Sequence, residues 1–192
     1  KKYKSRGFAK ITKNLLRGSR AFHEFHSARA IDERGIPTAV PLLAAEQMKW
    51  GCVYESLLVL PFISAACELK DFFLDPQNTC SRACSPAERR HIVSSFGRLT
   101  AKIFQSGIYQ NDYSLNNFLI RAEEGSHTIY FIDFERAAIK KQITAFDQSE
   151  LLAKLNRVGP EVTVKDRLRF LRGYLETAAA THKKLSPYAR QL

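Results

Sequence analysis

The stretch IYQNDYSLNNFLI (108–120), read together with IYFIDFERA (129–137), decides the fold of this chain. Asp112 is followed five residues later by Asn117, then by an apolar strand, a short polar turn and a second apolar strand ending in Asp133-Phe134. This order and spacing match the paired motif H-R-D-x-x-x-x-N … D-F-G of phosphoryl transfer. The chemistry explains the spacing. One carboxylate must take the proton of an attacking hydroxyl, while an amide oxygen and a second carboxylate converge on Mg²⁺. A loop feeding a tight two-stranded ribbon brings three such groups to one edge. An isolated Asp-Phe would carry no such meaning; three polar residues in register, with apolar strands between them, do.

Upstream of the motif, Ser85-Pro86-Ala87-Glu88 is a capping box with Pro at the first helical position. It opens a helix with Ile92, Phe96, Leu99 and Ile103 on one stripe, ending at Gly107. Ser19 caps an earlier helix over 20–34, with Ala21, Phe25, Ala28 and Ile31 on one face, stopped by Gly35 and Pro37. TAVPLLAAE (38–46) and CVYESLLVL (52–60) form a strand pair around the turn QMKWG, with Pro41 placing the first strand at an edge or giving it a bulge. Residues 65–84 read as irregular with one short helix, and 4–18 as a basic loop. The ribbon strands fall at about 118–121 and 128–132. Downstream, Asp147 to Glu150 is a second capping box for a helix to about 157, broken by Gly159-Pro160. A last helix spans 163–180, with Leu168, Leu171 and Leu175 facing inward. The order of elements predicts an α+β fold with a small sheet-bearing N-terminal lobe (1–64) and a larger, mainly helical C-terminal lobe (65–192).

Composition is that of a globular protein: 192 residues, 45% hydrophobic and 26% charged. The longest apolar run, LLVLPFISAAC (57–67), is broken by Pro61 and Ser64 and falls short of the ~18 residues a membrane span needs. The start, KKYKSRG, lacks the apolar segment of a secretory leader and lacks Met, so the chain is expected to continue upstream. Cys80 and Cys84 form a C-x-x-x-C pair without two further ligands at zinc spacing, and His23-Glu24-Phe25-His26 is one residue short of H-E-x-x-H. Neither predicts a metal centre. The cysteines fit free thiols in a reducing cytosol.

Net charge is +11, unevenly spread. Residues 1–20 hold eight Lys and Arg and no acid, 36–135 are net −3, and 136–192 are net +7. The motif carboxylates therefore lie in an acidic middle between basic ends. Basic surfaces attract nucleic acid, anionic lipid or phosphorylated sugar. No base-reading motif accompanies the charge, so no specific nucleic-acid partner is expected.

On these motifs, and on KKY at the start, SRAFHEFHSARAIDERGIPTAVPL and the late LLAKLNR … RLRFLRGYL, the chain resembles a protein-kinase-like phosphotransferase. More narrowly, it resembles the bacterial lipopolysaccharide core kinases of Kdo/WaaP type. The resemblance implies ATP and Mg²⁺ as cofactors. It makes Asp112 the catalytic base and gives Asn117 and Asp133 to the metal. It makes Glu24 the helix partner of a nucleotide-holding lysine, which is Lys1 or, one strand position on, Lys2. LPFIS (60–64), with Leu60 and Phe62, becomes the hinge that holds the adenine. The glycine-rich hairpin that precedes the lysine in such enzymes has no counterpart in these 192 residues, which implies an N-lobe truncated in this sequence.

Three positions depart from the protein-kinase pattern. Gln110 and Asn111 stand where His and Arg precede the catalytic Asp, which argues against control by a phosphorylated activation loop. Glu135 replaces the Gly after Asp-Phe, either as an acceptor behind the metal or as a partner of Arg136. Nothing resembles the A-P-E segment that docks peptides, which favours a non-protein acceptor. The acceptor implied is a sugar of the lipopolysaccharide inner core, lipid A-Kdo or heptose, met in the cytoplasm or peripherally at the anionic cytoplasmic face of the inner membrane. Lys10, Lys13, Arg17, Lys140 and Lys141 are candidates for contact with that acceptor or membrane. The alternatives are a kinase of a soluble small molecule or protein, and a catalytically inactive kinase fold acting as a binding module.

Overall fold

The computed structural model describes residues 1–4, 19–50, 52–75, 77–82, 84–123, 126–159 and 161–185. A three-stranded antiparallel sheet comes first, built from β1 (Lys2–Lys4), β2 (Leu43–Lys49) and β3 (Cys52–Val59) in the order β1-β3-β2. Pro41 lies just before β2, an edge strand, and the bulge falls later, between Gln47 and Met48. Helix α1 (Arg20–Asp32) packs on this sheet. Ser19 caps it by accepting the amide of Phe22, and Gly35, at φ +70, turns the chain away after it. Its buried face is Ala21, Glu24, Ala28 and Ile31. A carboxylate thus occupies the inner stripe where Phe25 was expected, and Phe25 is only half-buried.

The segment expected to be irregular holds β4 (Ala66–Glu68) and two short helices, α2 (Leu69–Leu74) and α3 (Thr79–Arg82). Strand β4 pairs with β6 (Phe118–Glu123), which pairs with β7 (Ser126–Phe131). Between them runs helix α4 (Pro86–Gln105), with both halves of the Ser85–Glu88 capping box formed and Ile92, Phe96, Leu99 and Ile103 all buried. It ends at Gly107, whose φ is +74 and whose missing Cβ would overlap the carbonyl oxygen of Lys140. That close approach sets β5 (Ile108–Gln110) against β8 (Ala137–Ile139).

Two helices close the fold. The capping box of α5 (Ala145–Leu155) is Thr144 with Asp147, three residues before the box expected at Asp147 and Glu150. Both pairs satisfy the pattern; the earlier one makes the hydrogen bonds. In α6 (Val164–Leu185), Leu168, Leu171 and Leu175 are 61, 43 and 53% exposed, not inward. Helix α6 instead lays Phe170, Gly173 and Tyr174 on α4. A Cβ at Gly97 would overlap the carbonyl of Phe170, and one at Gly173 that of Ser94, so the two helix backbones touch. That close contact decides the rotation of α6 over its leucine periodicity. Among the described residues, no helix is long and apolar enough to cross a membrane.

Candidate active site

The loop after β5 is anchored from below. Tyr113 is fully buried and donates its hydroxyl to Thr100 on α4 at 3.2 Å. Its ring meets Phe118 and Phe131 edge-on at 5.4 and 5.9 Å, and those two rings stack at 4.8 Å. Asp112, the preceding residue, is thereby pushed outward, with its side chain 70% exposed. Leu115–Asn117 form a single 3₁₀ turn with Leu115 and Asn117 buried. The amide of Asn117 donates to the backbone carbonyl of Asp112 at 2.6 Å. This bond accounts for the five-residue spacing, and the remaining polar atom of Asn117 is an acceptor, Oδ1.

The second strand of the ribbon delivers Asp133. Its backbone is left-handed, at φ +65, a conformation that costs a non-glycine residue about 1–2 kcal/mol. The carboxamide of buried Gln110 donates to the Asp133 carbonyl at 2.6 Å, and Phe134 buries itself against Phe131. Gln110 therefore ties the strand leading to Asp112 to the turn that aims Asp133. From the motif alone Gln110 is only a departure; the signal for this tie is its place in the strand leading to Asp112.

Lys1 crosses from the first sheet. Its Nζ is 2.7 Å from Glu24 Oε1 and 3.0 Å from Asp133 Oδ1. Burial works to lower the pKa of Lys1, but hydrogen bonds to Glu24 and Asp133 outweigh it and raise the value above the ordinary 10.5. Lys2 points to the other face and pairs with Glu55 at 2.8 Å, so strand alternation places Lys1, not Lys2, beside Glu24. The second oxygen of Glu24 accepts from the Tyr3 hydroxyl, a contact not foreseen from sequence.

Lys1, Glu24 and Asp133 form the polar end of a cavity of about 300 Å³, and Leu60 and Phe62 lie along it with Ala39, Leu119 and Ile132. Phe62 is 92% exposed at the rim. The structure thus brings Lys1, Glu24, Leu60, Phe62 and Asp133 around one cleft, with Asp112 and Asn117 linked to it through Gln110 and the ribbon. Glu135 does not pair with Arg136. It meets Arg20, at the start of α1, at 3.0 Å, while Arg136 stands 4.0 Å from Asp112. Lys154 braces the loop from outside, donating to the carbonyl of Asn111 at 2.9 Å.

No cluster of three or more His, Cys, Asp or Glu suited to a metal occurs among the described residues. The donors present are hard oxygens from one carboxylate and one amide, which suits Mg²⁺ that takes its other ligands from water and substrate phosphates. The ammonium already resting on Asp133 shows that the spot accepts positive charge. Lys140, one of the surface lysines expected to meet an anionic partner, is instead engaged with Asp147 at 2.8 Å and with the Tyr109 ring at 3.8 Å. Lys141 is exposed. Lys10, Lys13 and Arg17 lie outside the described residues.

A family model described as the lipopolysaccharide kinase (Kdo/WaaP) family matches residues 1–174. Two curated relatives, both named 3-deoxy-D-manno-octulosonic acid kinase, come from Stenotrophomonas maltophilia strains K279a and R551-3. Each is 30% identical, over 158 and 170 residues, covering 79 and 83% of this chain and 57 and 62% of the relatives. The chain thus spans about three fifths of the length of these relatives. Among solved structures, WaaP in complex with acyl carrier protein matches with a TM-score of 0.64 at 22% identity, over 81% of this chain and 66% of that one. That likeness gives the fold as protein-kinase-like.

Proposed function

The chain belongs to the Kdo/WaaP family of lipopolysaccharide kinases, and from that premise we propose that it transfers the γ-phosphate of ATP, with Mg²⁺, to a Kdo or heptose hydroxyl of the lipopolysaccharide inner core. The observation that carries this reading is Lys1 held between Glu24 and Asp133 at the polar end of the cleft. A lysine fixed by a buried carboxylate is a phosphate-holding device.

In this reading Lys1 turns from Asp133 to the nucleotide phosphates. Asp133 and Asn117 Oδ1 would hold Mg²⁺, which would supply positive charge against the phosphates. Leu60 and Phe62 flank the adenine at the hinge. Asp112 orients the acceptor hydroxyl and takes its proton. Arg136, beside Asp112, adds positive charge where an anionic acceptor enters. Residues 1–64 then act as the nucleotide-side lobe and 65–192 as the lobe carrying the base and the metal ligands. The acceptor chemistry sets the protein to work at the cytoplasmic face of the inner membrane.

The test is an ATP and Mg²⁺ assay on extracted lipopolysaccharide, read by mass spectrometry, with peptides and aminoglycosides as competing acceptors. Asp112→Ala is expected to lower kcat by about 10²–10⁴-fold, with an unchanged melting temperature because the side chain is exposed. Full turnover in that variant would remove the mechanism. No turnover in the wild type, with nucleotide still bound, would favour a binding module.

A further inference from the structure

Glu24 is 1% exposed, and a carboxylate so deeply buried needs a donor on each oxygen. Lys1 serves Oε1, and Tyr3 serves Oε2. Lys1, which extends the pairing with Leu58 just before β1, and Tyr3 within β1 are two residues apart, so both project to the α1 side, while Lys2 between them turns to Glu55. The two donors differ in their other duties. Lys1 divides its ammonium between Glu24 and Asp133, and in the reading above it must also meet the phosphates. The hydroxyl of Tyr3 has Glu24 as its described partner. Burial, followed by the hydrogen bond to Glu24, pushes the Tyr3 hydroxyl far above its ordinary value, so it remains a protonated donor throughout the working range.

We propose that Tyr3 is a positioning residue for the nucleotide: it holds Glu24, and through Glu24 it fixes the ammonium of Lys1 where the phosphates bind. The inference rests on the proposed kinase function. Lys1 alone would leave one Glu24 oxygen unpaired in the interior, and the carboxylate would then swing toward whatever donor it could reach. Tyr3 removes that freedom. It keeps Glu24 in place during the part of the cycle in which Lys1 redistributes its hydrogen bonds.

The experiment compares wild type, Tyr3→Phe, Glu24→Gln and the double variant on the full chain. It measures Kd for MgATP by titration, KM and kcat for both substrates, and melting temperature. Loss of one hydrogen bond to a charged group predicts about a tenfold rise in Kd and KM for MgATP in Tyr3→Phe. The KM for acceptor and kcat at saturating nucleotide should stay within about twofold. In the Glu24→Gln background, Tyr3→Phe should add no further loss. Tyr3→Gln, which restores an N–H donor, should recover part of the affinity. It also serves as the second probe if the phenylalanine variant proves too unstable to assay.

A folded Tyr3→Phe with unchanged MgATP affinity overturns the inference while leaving the kinase reading intact. Additive losses in the double variant overturn it as well, since Tyr3 would then act without Glu24. A lower melting temperature with unchanged nucleotide constants assigns Tyr3 to packing alone. A wild type that binds no MgATP removes the kinase reading, and the positioning role falls with it.

Discussion

The loop that carries Asp112 and the strand that Lys1 leads into meet at Asp133, yet opposite kinds of force hold them. Below the loop lie Tyr113, Phe118, Phe131 and Phe134, all buried, with ring centroids about 5–6 Å apart. Two carboxamides, from Gln110 and Asn117, finish the job by gripping backbone carbonyls. At the strand, charges dominate: Lys1 with Glu24 and Asp133, Lys2 with Glu55, and Arg20 with Glu135. The outer surface of that sheet is sparsely covered, with Trp50 90%, Met48 60% and Tyr54 50% exposed. Asp112 and the turn at Asp133 are thus set by packing, which salt and pH barely touch. The lysine is set by electrostatics, which both can tune.

Breaking the packed side should give the largest effect. Tyr113→Ala removes a fully buried ring and its hydrogen bond to Thr100, and should cost about 3–5 kcal/mol in denaturant unfolding. A loss under about 1 kcal/mol would mean that the loop does not depend on this anchor. Gly97→Ala comes next. The added methyl meets the carbonyl of Phe170, a backbone atom that cannot swing aside, so α4 and α6 must part. The expected loss is about 1–3 kcal/mol, beyond the roughly 1 kcal/mol gained from helix propensity. A stabilised variant would show that the helices separate easily.

The charged side should respond more gently. Arg20→Ala removes a partly exposed ion pair with Glu135 and should cost no more than about 1 kcal/mol. Its effect on nucleotide KM should shrink as salt is raised; a salt-independent effect would point to lost packing of the Arg20 stem instead.

Acidity separates the two sides most finely. Lys1 has a raised pKa, so its contribution is fully present below the unfolded value of 10.5 and is lost as pH rises through the folded one. Asp147, in the α5 cap, is held below its ordinary 3.8, chiefly by Lys140 and then by the Thr144 amide. Its contribution is present above 3.8 and is lost as pH falls through the lowered value. Melting curves should therefore show Glu24→Gln blunting the alkaline decline and Lys140→Met blunting the acid one. A swap of those two effects would contradict the assignment.

How much of this was legible beforehand follows the same division. The placement of Asp112, Asn117 and Asp133 could be read because their spacing is dictated by a single hydrogen-bonded loop and a tight ribbon, both local in sequence. Glu24 could be read from the resemblance, but that its carboxylate takes the place of Phe25 on the inner stripe of α1 depends on Lys1 and Tyr3 arriving from another element. Which lysine lies beside Glu24 turned on which face of the chain at and just before β1 meets the helix, which periodicity alone leaves open. The leucines of α6 carry a perfectly good inward pattern; two glycines, distant in sequence, allowed a closer contact on the opposite side. Glu135 had an adjacent cation in Arg136 and took a remote one in Arg20, because the turn after Phe134 carries the two side chains apart.

The bond from the Asn117 amide to the Asp112 carbonyl has a kinetic corollary. Under the proposed function, Asn117 would hold an ion through Oδ1, and that charge would polarise the N–H of the same amide and tighten its bond to the Asp112 carbonyl. In that reading the acceptor would meet a fixed Asp112 only after the nucleotide is seated. Initial rates should accordingly follow an ordered sequence with MgATP first, and acceptor affinity that is identical with and without nucleotide would contradict it.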